Sequence, residues 1–247
     1  MKTTHPASSK RTGSIARRSP HLARLALVWL LIALATMATI ACNGDDGDDG
    51  AVTGTPTKDD GGTGMVAGDT GYRGALVTPP FEKPAFTLTD TSGNPYDIIK
   101  ETDGSLVLLY LGYTHCPDVC PTHMADIAGV LKELPADVTK KVRVVFVTTD
   151  PARDTPEVLR KWLDLFDKSF IGLTGPEDTI INLQKTLGIN PASKTDLGGG
   201  NYAVNHAAYV IAFTPDNLAH TVYPLGVTED DWKHDIAKLA KEGWNPN

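Results

Sequence analysis

Leu106-Val107-Leu108-Leu109-Tyr110-Leu111 is apolar at every position and runs directly into Gly112-Tyr113-Thr114-His115-Cys116-Pro117-Asp118-Val119-Cys120-Pro121. A short, unbroken apolar run of this kind reads as a central strand buried on both faces, as in parallel sheets covered by helices. The residues after it are presented at the strand's carboxyl end, where open α/β sheets hold their ligands and reactive groups. Two of the chain's three cysteines stand there. If both lie on the first turn of the next helix, they face the same way at roughly 6 Å between Cα atoms, a span that a disulfide or one metal ion bridges.

The ends of the chain say where such a pair would work. Lys2, Lys10, Arg11, Arg17, Arg18 and Arg24 are the only charged residues before Cys42, and Leu25 to Ala41 carries none. Residues 1–42 therefore read as an export signal or membrane anchor. The small residues before Cys42 resemble a lipoprotein processing site, so Cys42 is a lipidation candidate; an uncleaved anchor and an incidental cysteine are the alternatives. Without those six cations, the part from Cys42 onward has a net charge near −13, which argues against a nucleic-acid partner. Residues 43–65 are rich in Gly, Asp and Thr and read as a flexible acidic linker with nothing to bury. Residues 66–247 have the length of one domain, which keeps only Cys116 and Cys120. Export also places these thiols where a permanent disulfide is a competing expectation.

The pattern along the domain predicts a strand and turn over Phe86 to Asn94, the Leu106–Leu111 strand, and a helix from about Pro117 to Leu134. A second central strand is expected at Val142–Val147, then a helix through Val158 to Phe166, a short strand at Phe170–Leu173, and a helix from about Pro176 to Leu187. Gly198-Gly199-Gly200 marks a mobile loop. An antiparallel pair, Tyr209–Phe213 with His220–Tyr223, and a helix from Glu229 to Glu242 close the chain. Parallel βαβ units followed by a hairpin and a last helix predict an α/β, thioredoxin-like fold, a central mixed sheet flanked by helices.

A cysteine at a helix N-terminus meets unpaired N–H groups and the positive end of the dipole, which favour the thiolate. Pro117 suits a helix start, and Asp118 opposes the effect through its charge. Two thiolates make an incomplete site for most metals, which turns attention to the seven histidines. His5 and His21 belong to the leader. His115 adjoins Cys116 and tends to point away from it. His123 lies along the helix, leading away from the strand end, and completes a site only awkwardly. His220 and His234 are expected to be solvated. His206 comes after the glycine-rich loop and opens a strand, so central pairing of that strand would bring it to the cysteines. Two thiolates and one imidazole suit Cu(I), with open coordination for Cu(II), whereas zinc more often demands a fourth protein ligand.

Three ordered motifs carry a resemblance. Tyr110 to Pro121, Thr148-Thr149-Asp150-Pro151-Ala152-Arg153-Asp154-Thr155-Pro156 and Tyr202-Ala203-Val204-Asn205-His206 resemble, over about residues 80 to 240, the SCO/SenC family of cytochrome oxidase assembly proteins. The resemblance implies a thioredoxin-like fold, copper held by Cys116, Cys120 and His206, and a role in maturing the binuclear copper centre of cytochrome c oxidase. Its implied partners are the copper-receiving oxidase subunit, other copper chaperones or thiol reductants, and a membrane reached through the N-terminal anchor. It also implies that Asp150 lies near the site as a tuning carboxylate, with helix capping as the competing role. The family often has aspartate before the histidine and a hydroxyl residue after it, where this chain has Asn205 and Ala207. A thiol-disulfide oxidoreductase using Cys116 and Cys120 is the alternative function; a disulfide that only staples the helix is the structural one.

Overall fold

The computed structural model describes residues 64–66 and 70–246. The expected export signal, Cys42 and nearly all of the expected linker lie outside the described residues. Within these bounds the chain forms, in order, β1 (Gly64–Val66), β2 (Ala75–Glu82), β3 (Thr87–Asp90), β4 (Pro95–Asp97), α1 (Ile98–Glu101), β5 (Leu106–Gly112), α2 (Val119–Glu133), α3 (Ala136–Thr139), β6 (Val142–Thr148), α4 (Pro156–Leu163), β7 (Ile171–Thr174), α5 (Glu177–Thr186), β8 (Ser193–Gly198), β9 (Asn201–Asn205), β10 (Tyr209–Phe213), β11 (Leu218–Pro224) and α6 (Glu229–Glu242). Nine strands form one sheet in the order β1-β2-β11-β10-β5-β6-β7-β3-β4, and β8 and β9 form a separate two-stranded ribbon.

All seven residues of β5 are buried, which accounts for its unbroken apolar run. Leu106, Leu108 and Tyr110 enter the core on one face, with Met124 and Ile127 of α2, Leu159 and Leu163 of α4, and Trp232 and Ile236 of α6. Val107, Leu109 and Leu111 alternate to the other face and pack with Ile98 of α1 and Ile180 and Leu183 of α5. β5 runs parallel to β6, and β6 to β7, while β10 joins β5 antiparallel. This is the expected mixed, thioredoxin-like architecture: two parallel crossovers, then a hairpin and a closing helix.

The predicted helix from Glu229 to Glu242 is found with those bounds, and the others agree within a few residues. Two expectations are corrected. The triple glycine is the turn of the β8–β9 ribbon, where Gly198, Gly199 and Gly200 take φ of 81°, 63° and 82°, a left-handed region that side-chain-bearing residues avoid. β8 is exposed along its whole length, so it carries no apolar alternation from which to read a strand. His220 is buried, stacked on Trp244 with ring centroids 4.6 Å apart, and its Nε2 lies 3.2 Å from Asp216 Oδ2. His234 is exposed as expected, beside Asp235. β2, unread in the sequence, joins the sheet between β1 and β11; Pro79 and Pro80 supply no N–H and break its signature.

Candidate metal centre

β5 ends at Gly112, and the chain turns through Tyr113–Asp118 before α2 begins. Cys116 thus precedes the helix and Cys120 is its second residue, so the two share a junction and not the first turn expected for both. Pro121, and not Pro117, is the proline inside the helix start. The turn aims the backbone N–H groups of Asp118 and Cys120 at the Cys116 sulfur. Gly112 is required by close approach: a Cβ there would stand 2.6 Å from the Tyr110 ring and 2.8 Å from Cys120 Sγ. Gly112→Ala is expected to push Cys120 out of place and to cost about 1–3 kcal/mol by overpacking. Urea unfolding and thiol labelling of the variant would check both effects.

His206 arrives from the other half of the sheet. It lies in the three-residue connection between β9 and β10, slightly ahead of the strand it was expected to open. Because β10 pairs with β5, that connection is delivered to the strand end that carries the cysteines. His206 Nε2 stands 3.4 Å from Cys120 Sγ, and Nδ1 is 2.8 Å from the Ala207 carbonyl. An Nδ1–H donated to that carbonyl leaves the Nε2 lone pair facing the sulfurs, the tautomer that a ligating imidazole uses. The ligand atoms of Cys116, Cys120 and His206 all lie within 4.8 Å of one another, the only such group of three among the described residues. Both thiols are free. This donor set fits a soft, low-coordinate metal ion.

The two sulfurs are not equivalent. Hydrogen bonding from the Cys120 thiol is the main influence holding Cys116 well below the ordinary thiol range; burial opposes it, and the backbone N–H groups of Asp118 and Cys120 add to it. Burial pushes Cys120 in the opposite direction, and the neighbouring Cys116 reinforces this. The two shifts run in opposite directions, so Cys116 gives up its proton more readily than Cys120. Cys116 is 9% exposed and Cys120 is sealed. Iodoacetamide is accordingly expected to modify Cys116 of the reduced, metal-free protein at a rate that is nearly flat from about pH 7 to 9, since a group already ionised gains nothing as pH rises, and to leave Cys120 untouched. Peptide mass spectrometry with stopped time points checks this.

Tyr110 and Tyr113 wall the site. Tyr110 Oη donates to Cys120 Sγ at 3.6 Å, and burial keeps that phenol protonated. Both rings meet His206 edge-on, at 6.0 and 5.5 Å. Asp150 is fully buried after β6, outside the Cys–Cys–His group. It does not cap a helix, because Thr155 caps α4. Its carboxylate pairs with Arg153 and accepts from Tyr202 Oη at 2.8 Å. The Arg153 guanidinium lies over the Tyr202 ring at 3.7 Å and donates to the Tyr202 carbonyl at 3.1 Å. Since Tyr202 is in β9, this clamp fixes the ribbon that leads to His206.

Asp154 escaped the sequence reading. It is fully buried and accepts from Thr114 N–H at 2.9 Å, Thr114 Oγ1 at 2.6 Å and Thr148 Oγ1 at 2.6 Å, fastening the cysteine turn to the end of β6. The signal available was Asp154 in a motif with Asp150 and Arg153, a cluster of charges directly after a buried strand. His115, with its side chain half exposed, has Nδ1 3.1 Å from Thr114 Oγ1 and takes no place in the group of three.

The sequence profile of the SCO1/SenC family matches residues 77–241, which contain every side chain of this site. The chain belongs to the SCO1/SenC family. ScoI of Bradyrhizobium japonicum, solved with copper bound, superposes with a TM-score of 0.59 at 31% identity, over 64% of this chain and 99% of that one. The apo Sco1 protein of Thermus thermophilus gives a TM-score of 0.60 at 31% identity, over 68% of this chain and 96% of that one. Among curated SCO relatives, the mitochondrial SCO2 of Saccharomyces cerevisiae is 33% identical over 132 residues, 53% of this chain and 44% of that protein. A SCO2-like protein of Rickettsia felis is 37% identical over 128 residues, 50% of this chain and 60% of that protein. The chain thus spans about half the length of these two SCO relatives. Against the SCO fold, the Cys–Cys–His group occupies the strand-to-helix junction and the ribbon-to-sheet connection.

Proposed function

We propose that this protein is an extracytoplasmic metallochaperone that binds one copper ion through Cys116, Cys120 and His206 and passes it to the copper-receiving subunit of cytochrome c oxidase, in maturation of the binuclear copper centre. The observation that carries the reading is the convergence of two sulfurs and a bare imidazole nitrogen within 4.8 Å. Two soft thiolates and an imidazole favour Cu(I), and the absence of a fourth protein donor from that group disfavours a closed zinc site. Copper is the cargo, so its ligands must release as well as hold it. Cys116 keeps a small exposure of 9%, and Cys120 has none. Exchange with an incoming thiolate therefore starts at Cys116, while Cys120 and His206 retain the ion until the partner's second donor arrives.

The family role in oxidase assembly and the copper held by the Bradyrhizobium relative support this reading. The basic leader and the charge-free stretch Leu25–Ala41 support export and membrane attachment, with Cys42 as lipidation site or the stretch itself as anchor. Among the described residues no helix is long and apolar enough to cross a membrane. The test of the central role is transfer: Cu(I)-loaded protein, mixed anaerobically with the metal-free, reduced copper domain of the oxidase, should lose copper to it. Retention of copper by the donor, with an acceptor shown to take up free Cu(I), contradicts the reading.

The divided titration of the thiols favours one second reading, a thiol-disulfide oxidoreductase that prepares the acceptor. Cys116 thiolate would attack a disulfide of the partner, and Cys120 would then resolve the mixed disulfide. The partner gains two electrons as two thiols, and this protein ends with a Cys116–Cys120 disulfide that an external thiol reductant must reopen. Reduction of an oxidised acceptor by copper-free protein, unchanged in His206→Ala and absent in Cys116→Ser, would select this reading.

A further inference from the structure

His123 is the buried histidine that the proposed copper group does not use. It stands on α2 one turn beyond Cys120, 1% exposed, with its ring 5.1 Å from that of Tyr110, whose hydroxyl donates to Cys120 Sγ. Its Nε2 lies 3.3 Å from the carbonyl of Ala208. Ala208 is two residues past His206, in the connection between β9 and β10. The chain is held just before it by the buried Val204 of β9 and just after it by the pairing of Tyr209 with Pro224, which leaves residues 206–208 to be fixed. The Nδ1 contact of His206 is to its own neighbour Ala207, so that hydrogen bond orients the ring relative to the local backbone and does not tie the backbone to another element. Tyr202 is held by Asp150 and Arg153, but on the far side of Asn205, which is exposed. A helix residue reaching across to Ala208 thus supplies a fixed point on the other side of the histidine.

We infer that His123 is a positioning residue: its Nε2–H, donated to the Ala208 carbonyl, ties the segment bearing His206 to the same helix that bears Cys120, and so sets the gap between the two ligand atoms. Burial pushes the His123 pKa down, in keeping with a neutral ring that serves as a donor at one nitrogen. Cys120 and His123 are three residues apart on one helical face and move as a unit. Fixing Ala208 to that unit converts a separation between two chain segments, 86 residues apart in sequence, into a local dimension of α2. Positioning partners outside the ligand set typically change metal affinity by about 10- to 100-fold.

The inference rests on the copper reading for its consequence but not for its geometry, and the test separates the two. His123→Gln keeps an N–H at nearly the reach of Nε2; His123→Phe keeps a ring without it. In the metal-free protein, amide exchange followed by NMR is expected to accelerate about tenfold at residues 206–209 of His123→Phe, as for a lost hydrogen bond, with the amides of β5 and β6 unchanged. His123→Gln should exchange like wild type. Competition with a Cu(I) chelator should show affinity down by about 10- to 100-fold in His123→Phe and largely restored in His123→Gln. Wild-type exchange at 206–209 in His123→Phe overturns the anchor. So does a folded His123→Gln whose 206–209 amides exchange faster than wild type, an outcome that stays decisive if the Phe variant does not fold. Normal exchange effects with no copper binding in wild type would instead contradict the copper reading and leave the anchor standing.

Discussion

His206→Ala is expected to lower the affinity for Cu(I) by more than about 100-fold, beyond the 10- to 100-fold typical of partners outside the ligand set. The physical reason is that the imidazole is the only nitrogen donor in the group of three, and its Nε2 faces Cys120 Sγ at 3.4 Å with Nδ1 engaged elsewhere. The thiol pair would survive the change, because Cys116 keeps its strongest support, hydrogen bonding from Cys120, together with the N–H groups of Asp118 and Cys120. Disulfide formation and alkylation of Cys116 should therefore persist while copper binding collapses. The fold should be little affected, since His206 is only half-buried and its packing on the core is limited to edge-on contacts with Tyr110 and Tyr113. Anaerobic titration against a chromophoric Cu(I) chelator reads the affinity, and a parallel thiol count reads the redox pair.

The largest loss of stability is expected at Asp154. Asp154→Ala removes the acceptor of Thr114 N–H, Thr114 Oγ1 and Thr148 Oγ1, groups that are half-buried at Thr114 and fully buried at Thr148, and at about 1–3 kcal/mol for each unsatisfied group the variant should be destabilised by about 3–5 kcal/mol after partial relaxation. For a domain of this size that corresponds to a fall in Tm of roughly 10 °C or more. The consequence reaches the site, because Thr114 is two residues before Cys116 and Asp154 is what holds that turn to β6. Copper affinity should drop together with Tm, whereas a surface carboxylate such as Glu157 should change neither. Differential scanning calorimetry with copper titration on the same samples distinguishes the two. A Tm within about 2 °C of wild type would mean that water or a neighbouring backbone group replaces the carboxylate, against the role assigned to Asp154 at the turn.

The parts of the fold that could be read from residues alone obey physical rules that leave a periodic or compositional trace. β5 was legible because burial on both faces demands apolar residues at every position, and the long helices because one apolar face repeats at helical spacing. The cysteines were legible as chemistry because thiols are rare in this chain. His206 was only one of several histidines until three motifs in order singled it out, since nothing local announces which loop a sheet will fold back onto β5. The β8–β9 ribbon stayed hidden because a hairpin in solvent has no apolar alternation, and what holds it is a clamp from Asp150 and Arg153 on Tyr202. Asp154 and His123 were illegible for a related reason: each acts through long-range hydrogen bonds, and the sequence shows one partner of such a bond without showing the other. The burial of His220 leaves no trace near it in the sequence because it depends on Trp244, which stacks over its ring. Export, lipidation at Cys42 and the acidic linker rest on residues outside those described and are proposals.

The central claim is that a single copper ion is held by two cysteine sulfurs and one histidine nitrogen. X-ray absorption at the copper edge on anaerobically loaded protein measures this without a partner or an activity. The predicted result is one Cu(I) per chain in a first coordination sphere of two sulfurs and one nitrogen, with the nitrogen scattering lost in His206→Ala and one sulfur lost in Cys116→Ser or Cys120→Ser. Copper at unit stoichiometry with no sulfur neighbours, or a spectrum unchanged by any of the three substitutions, would contradict it.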